Sequence, residues 1–381
     1  MRISIKYKND IMSNRSNMIL FIFLLFCLSF GLYGYGTSEH ADITEKAISN
    51  YQTWVAGDPD NRVGSNALDS YSTWIVSGSI EEDTHCLDTP FPWRQHYYDP
   101  VTGNGLFFII RYASAYDRAI DENHWPAAFD YYEDGDYQMA YWTLGRVMHL
   151  VEDCGVPAHV QLDRHFYHEW YEKEYIPSHR LTETDISNLD AIYTLDGIMF
   201  NLATIADQFD SDGDNSIVKG TTTKVNADDG WTEAEGYTIA SECYTGAIKS
   251  AGEVLRLWFY IVQPTIQFQK PLEGSIHSGI IGVPFEGQAK TYNKDFSEPW
   301  RIQKIEFYYS EIDNPTVGDW TLAGIADEYD EEQIFKHTWN SGIDDDKFWV
   351  RAIAIDDGDC ESVVSEKYWI KIDSTRPTVD W

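Results

Sequence analysis

The sequence predicts an all-α helical bundle followed by an all-β sandwich, with an export segment ahead of both. Three observations predict it. Up to about residue 262, apolar residues recur at helical spacing; beyond Gln263-Pro264 they alternate in short runs; and the first 34 residues carry one apolar run preceded by positive charge. The chain has 381 residues, 43% of them hydrophobic, which suffices for more than one core.

Taken in order, Arg2, Lys6, Lys8 and Arg15 precede an apolar run from Met18 to Phe30. A membrane-spanning helix needs about 20 residues, whereas a signal-peptide core needs about 7–15. Residues 1–34 therefore read as a signal peptide, and the mature chain as secreted or held at the cell surface with no transmembrane segment. Cys27 follows Phe26, where a lipoprotein signal requires a small residue, so lipidation is not expected.

The helical domain is expected over 35–262. Ile43, Ala47, Ile48 and Tyr51 share one face after His40, and Leu106 to Ile120, Tyr137 to Val151 and Ile239 to Val262 read as further helices. The polar stretch from Asp207 to Gly230 includes Asp210-Ser-Asp-Gly-Asp214. Alternate carboxylates suit calcium, but the closing Glu of the usual loop is missing, so a solvated loop is expected. The sandwich is expected over 264–376. Its alternating runs begin at Ile302, Phe348 and Tyr368, separated by clusters of Gly, Asn, Asp and Pro. Outside the export segment, Cys86, Cys154, Cys243 and Cys360 lack CxxC spacing, and both disulfides and buried thiols fit them.

The net charge of −34 excludes functions resting on a broad basic footprint, such as wrapping duplex DNA or docking on anionic lipid. The chemistry lies in the histidines. Nine of the eleven fall between His40 and His179. In the segment from His149 to His159, His149 and Asp153 stand at i and i+4, one face of a helix. Gly155 and Pro157 then break the helix, so His159 can turn back. His168 and Glu172 repeat the i, i+4 spacing, as do His165 and Glu169. Imidazole and carboxylate so arranged suit zinc. Upstream lie His40 at the start of a helix, Asp83 at the end of Gly78-Ser-Ile-Glu-Glu-Asp, and His96 before the turn signal Asp99-Pro100.

This order of motifs resembles the zinc-dependent phospholipase C superfamily, which includes single-strand-specific nucleases. The resemblance covers about 35–262 and is most specific in His149-Leu-Val-Glu-Asp-Cys-Gly-Val-Pro-Ala-His159. It implies a helical bundle with three zinc ions. One would be held by Asp83, His96, His149 and Asp153. A second would be held by His159, His168 and Glu172, this frame being preferred because His168 follows Tyr167 and Tyr171 precedes Glu172. The third would take His40, a bridging Asp153, and the α-amino group and carbonyl of the mature N-terminal residue. Family members begin with Trp; here the Tyr35-Gly-Thr-Ser-Glu-His40 start is similar to the nuclease branch, so cleavage between Gly34 and Tyr35 is expected. Asp83 is the expected base. The β region resembles immunoglobulin-like modules of exported hydrolases, and a passive appendage is expected of it.

The activity this implies is phospholipase C-type hydrolysis of phospholipid by metal-activated water. The alternatives are a single-strand nuclease-like phosphodiesterase and a non-catalytic, zinc-stabilised surface or adhesion protein. No basic groove interleaved with aromatics is visible, so no stable nucleic-acid partner is expected. Sequence does not set the oligomeric state.

Overall fold

The computed structural model describes residues 37–57, 63–83, 92–107, 110–162, 194–209, 233–278, 282–294, 301–340, 346–362 and 364–373. Residues 1–36, and with them the expected signal peptide, its cleavage site and Tyr35, lie outside the described residues.

Eight helices are described: α1 (Thr37–Gly57), α2 (Ser65–Glu81), α3 (Ala115–Ala119), α4 (Trp125–Asp134), α5 (Tyr137–Asp153), α6 (Pro157–Val160), α7 (Leu195–Ala206) and α8 (Glu233–Val262). Local chemistry sets several ends. Ser114 and Asp117 form a capping box that starts α3. Gly135, at φ 80°, stops α4, and the side chain of Asp136 then accepts from Met139 N to start α5. Thr194 caps α7 in the same way. The expected helix from Leu106 to Ile120 is a correction. Among the described residues of that span only Ala115–Ala119 is helical; before it, Tyr112 N donates to Leu106 O and a bridge joins Phe107 and Arg111. Gly105 stands against the backbone of Ala113, a close approach that requires a glycine and holds the chain in a turn.

The helices α2 and α5 cross at two glycines. A Cβ on Gly145 would stand 1.9 Å from Ile75 O, and one on Gly78 1.9 Å from Trp142 O. The backbones thus touch directly, which brings the C-terminal ends of both helices together. Around them lies a buried cluster running from Ile43 through Tyr141 and Trp258 to Val262.

After Val262 the chain enters a β domain of two sheets. Strands β1 (Thr265–Lys270), β3 (Val283–Lys290) and β6 (Phe335–Trp339) make a three-stranded sheet in the order β1-β3-β6. Strands β2 (Ile276–His277), β4 (Ile302–Ser310), β5 (Thr321–Ala326), β7 (Lys347–Asp356) and β8 (Tyr368–Ile372) make a five-stranded sheet in the order β2-β8-β7-β4-β5. All pairings are antiparallel except β2 with β8. Phe285, Ile305, Phe307, Phe348, Val350 and Ile370, alternate residues of their strands, fill a second core between the sheets.

The turn after β7 fastens the two parts together. Glu361 accepts from Gly64 N (3.0 Å) and Asn66 N (3.3 Å), so it supplies from the β domain the cap that the start of α2 lacks locally. Tyr132 donates to Asp356 at 2.6 Å, Ser70 to Asp359 at 2.7 Å, and Tyr137 to Asp357. Cys360 is buried in the helical core. Burial pushes the carboxyls of Asp356 and Glu361 up to about 7 each, against the hydrogen bonds that favour their charged forms. Cys154, Cys243 and Cys360 are buried; Cys86 lies outside the described residues.

Candidate metal centre

Four elements converge where α2 and α5 end. The first turn of α1 supplies His40, the residues after α2 supply Asp83, the segment that follows a 3-10 turn at Pro92–Gln95 supplies His96, and the C-terminal end of α5 supplies His149 and Asp153. The short helix α6, started by Pro157, returns His159 to the same place. All six side chains are buried.

Asp153 lies in the middle. Its Oδ2 is 2.8 Å from His96 Nδ1 and 3.2 Å from His149 Nε2; its Oδ1 is 3.4 Å from His159 Nδ1 and 3.6 Å from His40 Nε2. Asp83 Oδ1 is 3.4 Å from His96 Nδ1 and 3.7 Å from His149 Nε2. The rings of His40 and His149 stack at 3.7 Å. Two sets each bring three donor atoms within 4.8 Å of one another: His40, His149 and Asp153, and Asp83, His96 and His149.

None of the four carboxylate oxygens of Asp83 and Asp153 accepts a hydrogen bond from any described residue. Burying a carboxylate without donors costs several kcal/mol, on the order of 1–3 per unmade hydrogen bond and more for a charge. A cation held among the oxygens and ring nitrogens offsets that cost. The donor set, imidazole with carboxylate, is the one zinc takes.

The outer partners fix which nitrogen of each ring faces inward. His40 Nδ1 is 2.7 Å from Glu152 Oε2, and His149 Nδ1 is 2.6 Å from Ser79 O. Carboxylate and carbonyl only accept, so both rings carry their proton on Nδ1 and turn the Nε2 lone pair to the centre. The Thr44 hydroxyl, 2.7 Å from Glu152 Oε1, holds that carboxylate in place. Next to Asp83, Glu82 turns the other way. It takes hydrogen bonds from Arg118 Nε and from Arg146 Nε (2.6 Å), and lies 3.3 Å from His124 Nε2. Burial would raise the Glu82 carboxyl; the His124 hydrogen bond and the charges of both arginines outweigh burial and hold it well below the usual carboxylate range.

Six of the nine ligands expected from the sequence are therefore gathered in one cluster: His40, Asp83, His96, His149, Asp153 and His159. Tyr35, His168 and Glu172, and the competing pair His165 and Glu169, lie outside the described residues. Glu82, Glu152 and Ser79 are residues the motif reading passed over. The signal for the first two was adjacency, since each directly precedes an expected carboxylate ligand. The carbonyl of Ser79 leaves no mark in a sequence.

Solved structures similar to the chain include the alpha toxin of Clostridium absonum, at 15% identity over 90% of this chain and 97% of that one, with a TM-score of 0.43. The alpha-toxin of Clostridium perfringens from an avian strain is similar at 14% identity over 89% and 97%, with a TM-score of 0.41. The fibronectin(III)-like modules of Clostridium thermocellum CbhA are similar at 15% identity and a TM-score of 0.23, over 32% of this chain, which spans 53% of theirs. Comparison with curated proteins returned no match. Residues 40–220, which include every described residue of the cluster, match the family of zinc dependent phospholipase C.

Proposed function

We propose that the chain is an exported zinc phosphodiesterase that hydrolyses phospholipid in the manner of a phospholipase C. The observation that carries this reading is the pair of buried carboxylates, Asp83 and Asp153, whose oxygens accept no hydrogen bond from described residues and face histidine nitrogens instead. In this reading Asp83, His96, His149 and Asp153 hold one ion. His40, with Asp153 and the N-terminal Tyr35, would hold another, and His159, His168 and Glu172 would hold a third.

Zinc, when bound, supplies the positive charge that a phosphodiester needs before a nucleophile can approach, and it lowers the pKa of water toward ~7. The protein's own groups do the rest. Glu152 and the Ser79 carbonyl keep two ligand rings oriented; Asp153 would serve two metal positions, and Asp83 would accept the proton from the attacking water. Glu82 and its arginines sit behind the ligands and not among them.

The preference for lipid over nucleic acid rests on the segment after His96. It is built as rigid turns: Asp99 accepts from Val101 N (2.9 Å) and Thr102 Oγ1 (2.7 Å), and Asp99 N donates to Asn104 O (2.9 Å). Tyr98 N donates to His159 O at 3.2 Å, which ties the segment to the site. Val101, Phe107 and Ile110 are exposed at 81%, 57% and 61%. Residues 97–112 carry one Asp and one Arg in a chain of net charge −34. A nearly neutral segment with exposed apolar side chains suits a zwitterionic bilayer better than a polyanion.

The two hydrophobic cores support domains at 35–262 and 264–376, and the strand order of the β domain supports an immunoglobulin-like module in the role of an appendage. No described helix is long and apolar enough to cross a membrane.

The test is one parallel assay. Purified mature protein with zinc is offered phosphatidylcholine vesicles, single-stranded DNA and RNA, with and without a chelator. Diacylglycerol and phosphocholine released only with zinc are expected. Cleavage of nucleic acid alone moves the chain to the nuclease reading; zinc bound without any hydrolysis leaves the structural one.

A further inference from the structure

The carboxylate of Glu82 does not face the metal cluster, yet it is buried at the hinge between two expected ligands. It gathers three helices: Arg118 from α3, Arg146 from α5, and His124 at the start of α4, itself held by Asp121 at 2.8 Å from its Nδ1. On one side its chain neighbour is Asp83. On the other, Arg118 Nη1 donates to Gln95 Oε1 at 2.9 Å, next to His96. His96 Nε2 lies 3.9 Å from Glu82 Oε1 and makes no hydrogen bond with any described residue, while its Nδ1 faces Asp153 and Asp83.

His40 and His149 each give their outer N–H to an acceptor, Glu152 and Ser79 O. His96 is turned the opposite way round, and Glu82 is the acceptor that completes the same pattern for it. We propose that Glu82 is a positioning residue for the metal centre. Clamped by two arginines and a histidine, it takes the Nε2–H of His96 once Nδ1 is committed to metal, and it fixes the peptide that carries Asp83. This rests on the metal-centre reading above. It also accounts for the burial of two arginines beside a site built of acids and imidazoles: they hold the carboxylate at a set place and cancel its charge.

The alternative is that Glu82 only neutralises the arginines. The variant Glu82→Asp separates the two, because it keeps the charge but draws the carboxylate back from His96 by about one carbon–carbon bond, roughly 1.5 Å. Zinc affinity is read by chelator competition, and ligand geometry by the visible spectrum of the cobalt(II)-substituted protein. Loss of an outer partner typically lowers metal affinity about 10–100-fold, so Glu82→Asp is expected to lose zinc affinity by that factor and to shift the cobalt spectrum. Glu82→Gln is expected to lose at least as much. Unchanged affinity and spectrum in Glu82→Asp overturn the proposal. Because a variant can fail to fold, the zinc-loaded crystal structure of the unmutated protein supplies a second measurement. His96 Nε2 within about 3.2 Å of a Glu82 oxygen is expected, and a separation that stays near that seen here refutes the pairing. Unmutated protein that binds no zinc at all refutes the metal centre itself.

Discussion

Replacing Gly145 by alanine tests whether the α2–α5 crossing sets the metal site. The added Cβ would meet Ile75 O at 1.9 Å and Ser79 N at 2.9 Å. A carbon ordinarily stands about 3.5 Å from a neighbouring heavy atom, so the helices must part by about 1.5 Å. The obstacle is backbone, which cannot change rotamer, and the cost falls at the upper end for overpacking, about 3 kcal/mol. Alanine favours the helix over glycine by about 1 kcal/mol. Overpacking wins by about 2 kcal/mol, and at roughly 2–4 °C per kcal/mol for a domain of this size Tm should fall by about 4–8 °C. The chemistry should suffer more than the fold. The push lands on Ser79, whose carbonyl holds His149 at 2.6 Å, and on the strand of chain leading to Asp83. Metal sites tolerate only about ±0.2 Å in ligand distance, and a misplacement of about 1 Å can cost roughly 100-fold in rate. The assay is thermal denaturation by circular dichroism, chelator competition for zinc, and phosphatidylcholine hydrolysis, with Gln138→Ala on the exposed side of α5 as control. Gly145→Ala with the parent's Tm and zinc affinity would refute the reasoning.

Three further outcomes are expected. Asp153→Asn should lose zinc and hydrolysis together, since one carboxylate is asked to face four histidines; full activity at unchanged zinc content, measured by elemental analysis, contradicts the bridging role. Phe107→Ser with Ile110→Ser should weaken sedimentation with phosphatidylcholine vesicles by about 100-fold or more, at roughly 1.5–3 kcal/mol per large apolar side chain no longer buried, while hydrolysis of a soluble short-chain substrate stays unchanged; equal loss on both substrates places these residues in the chemistry and not at the surface. The junction at Asp356 and Glu361 should be most stable in acid. Folding raises both carboxyls from about 4 to about 7, so the folded state binds more protons between those values and stability falls as pH rises through that window. Thermal midpoints from pH 4 to 8 check it, and Asp356→Asn should flatten the profile.

The sequence by itself determined what depends on near neighbours. The change from helical period to alternation at Gln263-Pro264 located the boundary between α8 and β1, because burying one face of a helix and one face of a strand requires different spacings. The pair His149 and Asp153 was legible for the same reason: i and i+4 share a helix face wherever the helix goes. The apolar run from Leu106 was misread because Phe107 to Ile110 carries no period that separates a helix from a turn, and the close approach of Gly105 to Ala113 is not written in any local pattern. Only the tertiary structure decided the rest. His40 and Glu152 are 112 residues apart, and Glu361 caps a helix through Gly64, 297 residues before it in the chain. These contacts exist because two glycines let α2 and α5 touch and because the β domain docks its turn on α2. A carbonyl such as that of Ser79 is common to every residue, so what makes it a partner for His149 is its place in space and not its identity.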